Sequence, residues 1–106
     1  MKTSELADPA LDWAVAKCEG VNLLNIYDEI QMAFCPKYST DWSQGGPIIE
    51  REMIWLRAMS SFWHAQYGKS DEAIWNGIGP TPLVAAMRCY VASKLGDEVE
   101  IPKELQ

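Results

Sequence analysis

Apolar residues recur with a helical period near the start of the chain. Leu11, Ala14, Val15 and Cys18 stand at i, i+3, i+4 and i+7, one face of a helix. Asp8-Pro9 ahead of them reads as an N-cap followed by proline at the first helical position, and Gly20 as the stop. The spacing therefore predicts a helix over residues 9–19. Val21 to Ile26 is rich in branched aliphatics and reads as a strand, against which its two Asn residues weigh. Residues 27–37 fit neither period, and Pro36 ends whatever precedes it. Ser39 or Thr40 then reads as the cap of a second helix, with Asp41 placed near its positive end. Gly45, Gly46 and Pro47 predict a short helical turn, or two pieces with a break, in place of one smooth helix through Glu52.

From Met53 the period changes to two. Ile54, Leu56 and Ala58 fall on one side, and Met53, Trp55, Arg57 and Met59 on the other. Phe62 to Tyr67 alternates again, with Trp63, Ala65 and Tyr67 in phase, and Met59-Ser60-Ser61 leaves chain for a hairpin turn. Gly68 to Glu72 reads as a polar loop and Ala73 to Ile78 as a third strand. The last element carries every helix signal: Thr81 as cap, Pro82 in the first turn, a stripe of Leu83, Ala86, Met87, Tyr90, Val91 and Leu95, Lys94 near the negative end, and Gly96 as terminator. Helices at both ends with strands between predict an α+β fold. Its centre is a small antiparallel sheet of about three strands packed with the N-terminal and C-terminal helices.

Composition narrows this to a single domain over residues 1–106, with 48% hydrophobic and 23% charged residues. Five Trp are many for so short a chain, and several of them are expected as core or pocket wall. No apolar run is long enough for a membrane span, and MKTSELADPA lacks the apolar stretch of a signal peptide, so a cytoplasmic protein without membrane contact is expected. Cys18, Cys35 and Cys89 are odd in number and show no C-x-x-C spacing, which points to free thiols and no zinc site. The net charge of −6, with Asp97, Glu98, Glu100 and Glu104 gathered in an acidic tail over 97–106, argues against nucleic acid as a partner.

Candidate chemistry concentrates in Tyr38, Ser39, Thr40, Asp41 and Trp42. A Ser/Thr/Asp-rich helix start offers backbone N–H donors to an anionic group, and the two aromatics could stack on a flat ring. The same residues serve equally as caps and packing. Arg51 and Trp63 complete the set of ligand-binding candidates. Glu50, Arg51 and Glu52 also read simply as a solvated patch or as ion pairs. Gly45-Gly46 lacks the residues of a phosphate loop. His64, the single histidine, sits opposite in phase to Trp63 and Ala65 and has no nucleophile indicated beside it. Arg88 reads as a surface residue off the apolar stripe, or as a contact for an anionic partner. No catalytic residue, metal ligand or cofactor is expected.

YSTDW (38–42), GGPIIERE (45–52), the Trp63-x-Ala65 pair, GPTPLVAAMRCYVASKLGDEVEIP (79–102) and LDWAVAKCEG (11–20) resemble the NinX family of lambdoid phages and prophages. A weaker likeness extends to the phage alpha-beta-alpha sandwich domain, through a Tyr-Ser-Thr-Asp helix start and a late Trp-x-Ala strand. The resemblance implies a phage accessory protein in the bacterial cytoplasm, with no established activity, and a Gly soon after IERE, where this chain has Met53. The expectation is a protein that acts by binding a host small molecule, one derived from a nucleotide. The alternative is a module that inhibits or redirects a host protein.

Overall fold

The stripe over the first twenty residues forms α1, Asp8–Cys18, and buries Leu11, Ala14 and Val15 as the period requires. Its start differs from expectation. Ala7 occupies the cap position and Asp8 makes no capping bond, because a residue ahead of proline is driven out of the right-handed helical region; Asp8 takes φ 49°. The computed structural model describes residues 1–21, 35–68 and 74–106. The strand expected at 21–26 lies, beyond Val21, outside the described residues.

The second helix corrects the sequence reading in two ways. It is one continuous element, α2, Trp42–Glu52, with Pro47 inside it, and its cap is Asp41, not Ser39 or Thr40. Asp41 Oδ1 accepts from Ser43 N at 2.9 Å and Ser43 Oγ at 2.7 Å, and its Oδ2 accepts from Gln44 Nε2 at 2.8 Å. The first turn is therefore fully tied before the helix reaches Pro47, whose missing N–H forfeits one backbone bond. Ile48, 2 % exposed, and half-buried Ile49 then hold the second half against the core. Gly45 is needed for the fit: a Cβ there would collide with the Tyr38 carbonyl oxygen and lie 2.7 Å from Leu83 Cδ2. Tertiary packing overrides local propensity here.

Met53 ends α2 in the left-handed conformation, φ 56° and ψ 46°. This is the position that suits glycine, and the side chain of Met53 is 78 % exposed, so it contributes little packing in return. Met53→Gly is expected to raise stability by about 1 kcal/mol, read as a higher urea midpoint at unchanged slope.

Three strands follow as an antiparallel meander in the order β1-β2-β3: β1 Trp55–Ala58, β2 Trp63–Tyr67 and β3 Trp75–Gly79. Met59 N donates to Phe62 O at 2.8 Å to close the hairpin where expected. The register pairs Leu56 with Ala65 and Ala65 with Gly77, so these three make one inward row; Trp63, Tyr67, Trp75 and Gly79 share that face. Trp55, Arg57, His64, Gln66, Asn76 and Ile78 alternate onto the other face.

The inward face packs on α3, Pro82–Leu95, capped by Thr81 Oγ1 accepting from Val84 N at 3.1 Å and stopped by Gly96 at φ 86°. The expected stripe of α3 is too narrow. Ala85, Cys89 and Ala92 are buried as well, because α3 is the middle layer, with the sheet on one side and α1 and α2 on the other. Arg88 likewise differs from the surface reading. Its Nε donates to Leu6 O at 2.8 Å and its Nη1 to Ile78 O at 2.7 Å, which ties the N-terminal segment and β3 to the helix.

The acidic segment keeps Asp97, Glu98 and Glu100 exposed, but the residues between them are core. Val99 and Ile101 are 5 % and 6 % exposed, and Val99 exchanges backbone hydrogen bonds with Met1 at 2.9 and 3.0 Å. No helix of the described residues is long and apolar enough to cross a membrane.

Candidate functional site

The seven sequence candidates stand in different surroundings. Ser39 is 2 % exposed and faces inward; its N and Oγ both donate to Asp12 Oδ1, at 2.9 and 2.7 Å. Tyr38 is buried in the core beside it, and burial raises its phenol pKa. Thr40 is exposed, Asp41 caps α2, and Trp42, 53 % exposed, stands at the first position of that helix. Trp63 lies on the inward face of the sheet. The Tyr38–Trp42 turn is thus anchored to α1 by its second residue, with its two aromatics in different environments.

Burial of Asp12 outweighs its bonds from Ser39 and raises its carboxyl pKa above the usual carboxylate range. The folded state then holds this proton to higher pH than the unfolded chain does, so ionising Asp12 subtracts stability as pH rises through that window. Asp12→Asn keeps the Oδ1 acceptor and removes this cost, and is expected to match or exceed the natural protein at pH 7. Asp12→Ala leaves the Ser39 N–H and hydroxyl buried without an acceptor and is expected to lose about 2 kcal/mol. Urea unfolding of the pair at neutral pH separates the two effects.

Arg51 is the hub of a polar network joining the ends of α1 and α2 to α3 and β2. Its Nη1 and Nη2 donate to the Glu19 carboxylate at 3.0 and 2.7 Å, its Nε to Glu52 at 2.7 Å, and Nη2 also to Tyr90 OH at 3.2 Å. Tyr90 OH donates to Glu19 and Tyr67 OH to Glu52, both at 2.6 Å. The Arg51 bond holds the Glu19 carboxyl below its ordinary value, and the Tyr67 bond, with Arg51 second, does so for Glu52. All three nitrogens of the guanidinium are engaged, so the ion-pair reading of Glu50–Glu52 describes Arg51 and Glu52.

A different surface is open. The outward face of the sheet carries Trp55, 76 % exposed, and Ile78, 53 % exposed, with Arg57, His64, Gln66 and Asn76 between them. Asn76 Oδ1 accepts from His64 Nε2 at 2.8 Å and from Gln66 Nε2 at 3.3 Å, so a cross-strand polar row is held in place. Trp55 divides two open grooves. One, of about 280 Å³, is lined by Trp55, Leu56, Arg57, His64 and Gln66. The other, of about 300 Å³, is lined by Trp55, Gln66, Tyr67, Gly68 and Ile74. A smaller cleft of about 170 Å³ lies between the N-terminal segment, β3 and α3 and includes Arg88. None of the seven sequence candidates is among the described lining residues of these grooves.

The sequence reading identified His64 as outward but passed over Trp55, although the alternation it derived put Trp55 opposite Leu56. An indole in the outward phase of a strand was the available signal. Of the five Trp, Trp13, Trp63 and Trp75 pack half-buried against the core and Trp55 lines the grooves, as expected for several of them, while Trp42 is exposed. Burial raises the thiol pKa values of Cys18 and Cys35 to about 11 and that of Cys89 to about 12, which keeps them protonated at neutral pH. Among the described residues no group of three or more side chains is placed to hold a metal ion.

A search of curated proteins found no match to this chain. The family model described as bacteriophage P22, NinX, matches residues 2–94, a span that takes in α1, α2, the whole sheet and nearly all of α3. With the capped Tyr38–Glu52 segment, the meander and the closing helix all inside that match, the chain belongs to the bacteriophage P22 NinX family.

Proposed function

We propose that this phage accessory protein acts by binding, with the outward face of its sheet as the contact surface and a small molecule of the host cell as the ligand. The observation that carries the reading is Trp55. Its indole is 76 % exposed in the wall of a groove beside the guanidinium of Arg57, although the fold has an interior to receive aromatic rings. A side chain of this type buries roughly 150–250 Å² when covered, so a ligand laid on it would remove a large apolar area from water. Such a protein would act stoichiometrically, by withdrawing its ligand from circulation.

The second reading, a host protein as partner, draws on Ile74 and Ile78. Ile74, 56 % exposed, lines the second groove with Trp55, and Ile78, 53 % exposed, stands across the polar row from it, so the exposed apolar groups are spread more widely than one small ligand would cover.

The test uses protein recovered from the bacterial host, with native and denaturing mass spectra recorded side by side for the natural chain and for Trp55→Ala. The reading expects an added mass that denaturation releases and that Trp55→Ala lacks while keeping its circular dichroism. An adduct retained undiminished in Trp55→Ala would place the site elsewhere. A clean apo mass in the natural chain would move weight to the protein partner.

A further inference from the structure

We propose that the groove between Trp55 and Arg57 takes a free mononucleotide, its base stacked on Trp55 and its phosphate held by Arg57. This rests on the binding reading above and names the ligand class.

The first argument is charge. The chain carries fifteen Asp and Glu against nine Lys and Arg, yet no residue of β1, β2 or β3 is acidic. The outward face of the sheet therefore presents Arg57 without a carboxylate from any strand, and its field favours an anion. The second is availability. Of the three arginines, Arg51 is held by Glu19, Glu52 and Tyr90, and Arg88 by two backbone carbonyls. Arg57 makes no side-chain hydrogen bond or ion pair to any described residue and is exposed, and its planar fork is the kind of group that takes a phosphate.

The third argument is geometry. Trp55 and Arg57 are two residues apart on one strand, about 6.6 Å along the face, with Gln66 and His64 directly across as their paired neighbours. Both side chains line the same groove, and at that backbone spacing a ring platform and a guanidinium can reach the two ends of one nucleotide, with two hydrogen-bonding side chains beside them. The Asn76 carbonyl fixes those two side chains. His64 Nδ1, Gln66 Oε1 and Asn76 Nδ2 have no partner among the described residues. Donors and acceptors of this kind read a base edge. The groove volume of about 280 Å³ falls at the small end of ligand sites, and one platform with one guanidinium matches one base and one phosphate.

The experiment titrates the full chain with AMP, GMP, CMP and UMP, with the corresponding nucleosides, and with oligothymidylate. Calorimetry and backbone and indole amide shifts are the readouts. At least one monophosphate is expected to bind saturably and to shift Trp55, Arg57, His64 and Gln66. Trp55→Ala is expected to weaken it at least about tenfold. Arg57→Gln is expected to weaken the monophosphate but leave the nucleoside unchanged. Both side chains are exposed, and circular dichroism confirms that each variant is folded. Absence of saturable binding by all four monophosphates at millimolar concentration would overturn the proposal, as would binding that neither substitution alters. Oligothymidylate binding more tightly than every monophosphate would replace the free nucleotide with a single strand. If the monophosphates fail while a Trp55-dependent adduct appears in the mass spectra, the nucleotide class falls and the binding reading survives. If that adduct is missing as well, both fall.

Discussion

Gly77→Ala is expected to cost about 3 kcal/mol, a large loss for a single methyl group. Gly77 is buried in the middle of β3, facing α3. A Cβ there would collide with the Ala85 carbonyl oxygen and lie 2.6 Å from Cys89 N and 2.9 Å from Cys89 Cβ. Two of those three atoms are backbone, so no rotamer change relieves the contact, and α3 must move off the sheet. That movement disturbs the rest of the interface, including the Cys89 thiol that donates to Trp75 O at 3.2 Å and the inward row Leu56, Ala65 and Gly77. For a domain of this size the loss corresponds to a fall in melting temperature of about 15 °C. A melting temperature within a degree or two of the natural protein would show that helix and sheet can separate cheaply, and that the close approach is not what holds them.

Arg51→Ala is expected to cost about 2 kcal/mol at pH 7. It leaves Glu19 and Glu52, each with a side chain only 17 % exposed, facing one another without the cation between them. The loss is smaller than for a fully buried pair because half of the Arg51 side chain is in water, where solvent screens the charges. The pH dependence identifies the cause. Both carboxyls titrate below their ordinary values in the folded protein, so the stability they confer is present above the unfolded carboxylate pKa of about 4.3. It is lost as pH falls through the lower folded values. The gap between the natural protein and Arg51→Ala should therefore be full at neutral pH and close below about pH 4. Urea titrations at several pH values measure it, and a gap that stays constant down to acid pH would assign the loss to packing of the arginine stem instead. Arg51→Lys should recover little, since one ammonium cannot span two carboxylates and a phenol as the fork does.

These two positions also mark where the sequence stops being readable. The period-3.6 stripe of α1, the period-2 alternation from Ile54 to Tyr67 and the Thr81/Gly96 punctuation of α3 are local signals. Each element they predicted is present, in an α+β arrangement. The resemblance also led to a correct family. What the sequence reading placed wrongly depended on distant neighbours. Pro47 and two glycines predicted a broken helix, but α2 is continuous because Asp41 ties its first turn and Ile48 is buried by other elements. Ser39 looked like a cap until Asp12, 27 positions away, claimed its N–H and hydroxyl. Arg51 read both as a ligand-binding candidate and as part of a solvated patch or ion pair, and the structure shows its ion pair with Glu19 at a separation of 32.

The sequence by itself determined which residues share a face on each strand and helix, because side-chain direction follows from backbone period alone. It also determined where α1 and α3 stop, through Gly20 and Gly96. Only the tertiary structure decided which of those faces are covered. Stacking α3 between the sheet on one side and α1 and α2 on the other buried most of its surface and left Trp55 and Ile78 exposed on the opposite side of the sheet. Layer order is set by contacts between segments far apart in the chain, and no local period encodes it. That order is what leaves Trp55 and Arg57 in solvent and closes Tyr38 and Ser39 into the frame.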